Sequence, residues 1–329
     1  MLSYVLRRLM YMFILLALVS LVGFIIIELP PGSYVETRIA QLETQGARVD
    51  QAMIDSLIRQ YDLDKPVYSR YARWLGKFMQ GNLGYSLQWN KPVVELVGER
   101  MPATLLLSLF SLVFVYAVAI PIGIYSAVRQ YSVGDYLFTF GGFIGLATPN
   151  FLLALALMYF FYSVFGVSLT GLFSALYRSA PWSFAKFLDL LKHLPIPIVV
   201  VGTAGTAGLI RVMRGCLLDE LKKQYVIVAR SKGVSERTLL FRYPVRVALN
   251  PIISTVGWAL PGIFSGQVIT SIVLSLPTIG ALFYSALRAQ DMYLAGSIMV
   301  LLSALTIIGT FISDMLLAWA DPRIRFDRS

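Results

Sequence analysis

The chain has 329 residues, among them a single histidine, His193, and a single cysteine, Cys216. One imidazole cannot supply the ligand set of a metal centre, and one thiol forms no internal disulfide, so Cys216 reads as a packed structural thiol. No nucleophile stands at a recognisable spacing from a base. Gly76-Lys77 lacks both the earlier glycine and the following hydroxyl residue of a phosphate loop. Asp314 is the carboxylate set within an apolar stretch. It lies near the end of that stretch, where it reads either as a functional group or as the partner of a helix end. Catalytic residues, metal ligands and a cofactor of the chain's own are therefore not expected.

Chemistry is concentrated instead in the segment 211–246, where nine Lys/Arg stand against three acids. The pattern predicts helix, break, helix. Residues 219–232 suit one helix, with acids at its start and bases towards its end, as the helix dipole favours. Gly233 suits a C-terminal cap, and Ser235 a cap for a second helix starting at Glu236 with Leu239, Leu240 and Tyr243 on one side. A charge run is often only a solvated face. A two-helix element projecting from a bundle is equally well shaped to enter a groove on a soluble partner.

The elements that hold this segment are apolar. Hydrophobic residues make up 57% of the chain and charged ones 14%, well below the roughly 25% of a soluble domain. Uncharged runs cover 9–27, 101–128, 136–177, 193–210, 247–287 and 292–313. At 1.5 Å per residue, about 20 apolar residues cross the hydrocarbon core. The two long runs each read as one span plus a buried or interfacial stretch, marked by Gly166, Ser168, Thr170, Gly171 and Ser174 in one and by Ser275 and Pro277 in the other. The expected fold is all-α and integral to the membrane: a six-helix transmembrane bundle with an external helical insertion between the first and second spans. A cleaved signal peptide is disfavoured for the first run, because no small-x-small site precedes Glu28-Leu29-Pro30-Pro31.

Positive charge sets the orientation. Arg7 and Arg8, the 211–246 segment and the tail (Arg323, Arg325, Arg328) fall on one side of six spans, which makes both termini cytoplasmic. The net charge of +10 is mostly this asymmetry and calls for the lipid bilayer as a partner, not nucleic acid. The expected division is 1–29 as N-terminal anchor and first span and 30–100 as an external insertion of short helices. Residues 101–318 form the transmembrane core with a cytoplasmic loop at 217–245, and 319–329 a cytoplasmic tail. Within the insertion, Tyr68, Tyr71, Trp74, Leu75 and Phe78 form an aromatic stripe for a helix lying on the membrane or on its own protein. Small-residue pairs, Gly141 with Gly145, Ala204 with Gly208 and Gly262 with Gly266, suit close helix packing. A proton- or sodium-coupled carrier would need buried ionisable relays and an internal inverted repeat, and a membrane-embedded enzyme would need polar groups inside the spans. Neither pattern is visible.

Ala229-x-x-x-Gly233, set in Tyr225-Val-Ile-Val-Ala-Arg-Ser-Lys-Gly233-Val-Ser235-Glu-Arg237, resembles the cytoplasmic coupling signature of ABC importer permeases. Leu6-Arg7-Arg8-Leu9, the stretch from Tyr61 through Pro66 and Trp74 to Gly81-Asn-Leu-Gly84-Tyr-Ser86, and Asp321-Pro322-Arg323 are similar to the first permease subunit of the peptide and nickel uptake family. Ile227 stands where the wider signature has an acid. The resemblance implies a pathway shared with a second homologous permease, two ATP-binding subunits carrying ATP and Mg, and an external solute-binding protein, in a bacterial or archaeal cytoplasmic (inner) membrane. It implies coupling contacts at Ala229, Arg230, Gly233, Ser235, Glu236 and Arg237. The solute class stays open between oligopeptides and oligosaccharides, since the 36–60 stretch is longer than ordinary dipeptide permeases would carry, and no solute-contacting residue is assigned.

Overall fold

Proline and left-handed turns mark where this chain stops being helical. Pro149 cannot donate a backbone hydrogen bond and biases the residue before it towards extended conformations. Thr148 accordingly sits at φ −81°, ψ 121°, and the helices on either side meet at a bend of 106°. A second break follows Val273, where Ser275 takes φ 54° and Pro277 lies in the turn. The computed structural model describes residues 2–28, 55, 64–86 and 88–320.

The described elements are α1 (Leu2–Glu28), α2 (Val67–Met79), a short antiparallel ribbon of β1 (Tyr85–Ser86) and β2 (Lys91–Pro92), α3 (Val93–Val128), α4 (Val133–Ala147), α5 (Asn150–Phe165) and α6 (Phe184–His193). They continue with α7 (Pro195–Leu221), α8 (Gln224–Ser231), α9 (Glu236–Arg242), α10 (Pro244–Val273), α11 (Ile279–Arg288) and α12 (Met292–Ala320). Among the described residues, four stretches are long and apolar enough to cross a membrane: Leu6–Ile26, Val93–Val128, Phe184–Leu221 and Met292–Met315. The bent pair α4 and α5 makes a fifth if it is one span. Helices occupy all six expected stretches, and the described residues account for four or five of the six expected spans. α3 also begins at Val93, a full two turns before the expected 101, because Val93, Leu96 and Val97 are buried and extend the apolar face backwards.

The chain divides into two compact units. The first comprises Met1–Arg8, Pro102–Ala281 and Thr306–Ser329. Its centre is α7, which packs against α4, α5 and α10. One apolar core gathers Leu107, Ala154, Leu190, Val200 and Leu274, and includes Leu169 and Leu172 from the loop after α5. Within the later half of the 136–177 run, residues 169–174 are thus packed inwards, while Gly166 and Ser168 stay exposed. That loop is fixed by hydrogen bonds from the Gly171 amide to the Leu274 carbonyl (2.7 Å) and from the Ser174 amide to the Asp189 carboxylate (2.8 Å). A second core joins Val115, Ala119, Met213, Leu217, Val245 and Ile252.

Close helix approach in this unit depends on small residues, though not on every one that spacing suggests. A Cβ on Gly145 would meet Thr203 Cγ2 at 2.4 Å, while one on Gly141 would enter open space; Gly142 is the residue that faces Ala207. Gly208 is likewise open, and the side-chain surroundings of 262 and 266 lie outside the described residues. An approach that also involves backbone is at Gly123, where a Cβ would lie 2.6 Å from Met213 Cβ and 3.1 Å from the Ile210 carbonyl oxygen. Backbone cannot step aside as a flexible side chain can. Gly123→Val should cost about 2–3 kcal/mol through overpacking, measured as a lowered unfolding midpoint of the detergent-solubilised chain, and a midpoint within 1 °C of the parent would refute this contact.

The second unit comprises Leu9–Met101 and Leu282–Leu305. Here the aromatic stripe of α2 lies on its own protein. Trp74 is buried beside Phe24 and Val300, with Tyr71, Leu75 and Phe78 around it. Ring centroids of Phe24 and Tyr71 are 5.4 Å apart, and the Tyr71 and Ser20 hydroxyls share a 2.8 Å hydrogen bond. Tyr68, expected in the stripe, is 77% exposed because its place in the helix turns it away. The helices expected within 36–60 lie outside the described residues, Asp55 apart.

Candidate coupling site

The segment between α7 and α10 folds on itself. α7 ends at Leu221, and α8 starts only at Gln224 after an extended Lys223 (φ −70°, ψ 147°), so the single helix expected over 219–232 is two helices. Val226, Ala229 and Leu239 supply the reason. They are buried together, with Val234 and Tyr243 packed against them, and a straight continuation of α7 could not bring Val226 and Ala229 to Leu239.

The α8 terminus is set by Gly233. Its φ of +76° is a left-handed conformation that costs a residue with a side chain about 1–2 kcal/mol. In that conformation the Gly233 amide donates to the Arg230 carbonyl at 3.0 Å and the Val234 amide to the Ala229 carbonyl at 3.4 Å. This is a Schellman cap, completed by the apolar contact between Val234 and Ala229. Ala229 therefore has two roles: its carbonyl closes the cap and its methyl lies in the small core at 8% exposure.

Ser235 stands at the start of α9, as expected, but does not cap it through its side chain. With Ser235 at φ −59°, ψ 140°, its hydroxyl donates to Thr238 Oγ1 at 2.9 Å and not to a backbone partner. Arg230 and Glu236 form a two-pronged ion pair across the bend, with nitrogen–oxygen distances of 2.5 and 3.0 Å. The hydrogen bond from Arg230 holds the Glu236 carboxyl below the ordinary carboxylate range. A depressed carboxylate contributes stability above its unfolded pKa and loses it as pH falls through the lowered folded value, so the pair is intact at neutral pH. Both groups are exposed, which keeps its contribution small. Arg237 is exposed on the outer side. Burial, followed by hydrogen bonding to the Glu220 carboxylate, pushes the Tyr225 phenol above its usual range. The six expected residues thus share one hairpin, with Ala229 facing inwards and Arg230, Ser235, Glu236 and Arg237 outwards.

Two acids escaped the sequence reading. Asp135 is 3% exposed and accepts from Arg214 of α7 at 3.0 Å and from the Tyr131 amide at 3.0 Å. Arg214 also donates to the Ser126 carbonyl of α3 at 3.3 Å, so one guanidinium ties three helices together. Asp291 is 1% exposed and accepts from the Ser86 hydroxyl (2.6 Å) and from the amides of Gln88 (3.1 Å) and Leu294 (3.2 Å). Both follow a turn and open a helix, a position where a carboxylate is favourable, and that was the available signal. Asp314 is a helix-end partner: it pairs with Arg8 at 2.9 Å. Among the described residues no group of three His, Cys, Asp or Glu side chains could hold a metal ion.

Comparison with known proteins agrees with this architecture. Residues 119–326 match the family model described as binding-protein-dependent transport system inner membrane component, and residues 1–108 match that of its N-terminal portion. The chain is 34% identical to the oligopeptide transport system permease protein AppB of Bacillus subtilis, covering 98% of this chain and 99% of the relative. It is 31% identical to the di/tripeptide transport system permease protein DppB of Pseudomonas aeruginosa over the full length of both. A solved chain of the MetNI methionine ABC transporter in inward-facing conformations shares the fold, with a TM-score of 0.52 at 15% identity over 69% of this chain and 96% of that one. The chain belongs to the family of binding-protein-dependent transport system inner membrane components. It is a multi-pass, all-α permease subunit of an ABC importer, a transport component and not an enzyme.

Proposed function

We propose that this permease carries oligopeptides inwards as half of a translocation pathway whose other half is a second homologous permease. Two ATP-binding subunits, holding ATP and Mg, sit beneath the α8–α9 hairpin in the cytoplasm, and an external solute-binding protein delivers the solute from the side of the 30–100 insertion. On this reading the membrane is the inner membrane of a bacterium or archaeon, and both termini are cytoplasmic. The observation that carries the reading is the hairpin itself: a separately cored helix pair with Arg230, Glu236 and Arg237 on its exposed side, joined to two long helices. Closure of the ATP-binding subunits moves it, and it passes that motion to α7 and α10. Relatives that are oligopeptide and di/tripeptide permeases support peptide as the solute. One relative, the peptidoglycan transport system permease protein YejB of Agrobacterium fabrum (28% identical), favours a second reading in which sugar-bearing fragments are carried.

The test is Gly233→Val in the assembled transporter in vesicles. A β-branched residue at positive φ breaks the Schellman cap, so peptide uptake should fall at least ten-fold while ATP hydrolysis and membrane insertion persist. Uptake at the parental rate would remove the hairpin from the mechanism. Competition of radiolabelled peptide uptake by unlabelled oligosaccharide separates the two solute readings.

A further inference from the structure

Between α4 and α7 the first unit has a cleft of about 150 Å³ lined by Phe138, Gly142, Phe143, Leu146, Arg211 and Arg214, among others. Arg214 is engaged by Asp135. Arg211, one helical turn earlier, is exposed, and its guanidinium carbon lies 5.1 Å from the centroid of the Phe143 ring. Among the described residues no carboxylate pairs with it. The cleft is therefore lined by two guanidinium groups, one of them neutralised by Asp135, leaving one positive charge against an apolar wall. It lies at the end of α7 that leads into the hairpin, where long basic side chains reach the membrane surface.

We infer that this cleft binds the phosphate of an anionic phospholipid. An occupant must bring one negative charge to Arg211 and an apolar body to Phe138, Phe143 and Leu146, a pairing that a phospholipid presents in this orientation. Size argues against the transported solute, since pockets for whole ligands run from about 300 to 1,000 Å³. The space suits a phosphate group, with acyl chains continuing along the exposed faces of α4. Arginine is the apt residue because its planar fork engages two phosphate oxygens while its face rests on an aromatic ring. Basic pockets between membrane helices select anionic headgroups in this way.

The test is native mass spectrometry of the assembled transporter in detergent micelles, titrated with phosphatidylglycerol and, separately, phosphatidylcholine. Phosphatidylglycerol should be retained in preference, and Arg211→Gln should weaken that retention about five-fold, the effect of one basic side chain at a membrane surface. Arg211→Lys should keep only part of it, because the ammonium retains the charge but loses the fork and the ring face, and Arg178→Gln, an exposed arginine in the loop after α5, should change nothing. Displacement of phosphatidylglycerol by millimolar inorganic phosphate would overturn the lipid assignment and leave a plain anion site. Equal retention of both lipids, or no effect of Arg211→Gln, would overturn the site. Loss of the second permease from the Arg211→Gln complex with lipid retention unchanged would make the cleft a subunit contact instead, and that too would overturn the proposal.

Discussion

Replacing Asp291 by alanine should destabilise the chain by about 3 kcal/mol, read as a lower unfolding midpoint in detergent and faster chymotrypsin cleavage after the exposed Trp89. The carboxylate accepts from one hydroxyl and two backbone amides. Hydrogen bonds to a charged group contribute about 1.5–3 kcal/mol each, and these three are not independent. The Ser86 side chain is fully buried, so its hydroxyl would be left without its charged acceptor in a site that water does not reach. Asp291→Asn keeps an acceptor oxygen and should lose about half as much. The Ser297 hydroxyl, which donates to the Leu83 carbonyl at 2.9 Å, would still hold the other end of the Gly81–Ser86 stretch, so the expected damage is local loosening and not loss of the membrane fold. A midpoint unchanged by Asp291→Ala would mean that the ribbon is held by its apolar contacts alone.

Asp135→Ala should cost about 2–3 kcal/mol by leaving Arg214 beside apolar helix surfaces without its counter-charge. The lower part of the range for such pairs applies because the Arg214 side chain keeps 31% of its exposure. The double variant Asp135→Ala, Arg214→Met should recover part of the loss, since removing both charges also removes the uncompensated one. A double-mutant cycle on unfolding midpoints measures this directly, and additive losses would show that the two side chains do not interact. The Ser126 carbonyl would lose its donor in every variant without Arg214, so recovery should stay incomplete.

These two residues also show where sequence reading reached its limit. Asp135 and Asp291 sit in short gaps between apolar runs, and a charge in a gap reads as solvated. Only tertiary structure turns them inwards, Asp135 towards α7 and Asp291 towards the ribbon. The features that were legible are those governed by local rules. The left-handed turn at Gly233, the start of α9 at Glu236, the breaks near Ser275 and Pro277 and the α2 aromatic stripe each depend on a few adjacent residues. Ser235 shows the boundary between the two cases. Its position as first residue before a helix was readable, but the partner of its hydroxyl was not, because Thr238 competes for it. The break at Lys222-Lys223 was missed because every residue from 219 to 232 tolerates a helix, and the small core around Leu239 decides otherwise. Gly142 in place of Gly141 is the same kind of miss, one helical step set by which face meets α7.

The two ends of the α8–α9 hairpin are not alike. On the α10 side there is almost no link: α9 ends at Arg242, Pro244 opens α10, and Leu240 and Val245 share one apolar cluster. On the α7 side Lys222 and Lys223 intervene, both exposed. A load placed on the hairpin would thus travel along α10 as through a welded rod, while towards α7 it would first have to cross the lysine pair and the Tyr225–Glu220 hydrogen bond that spans it.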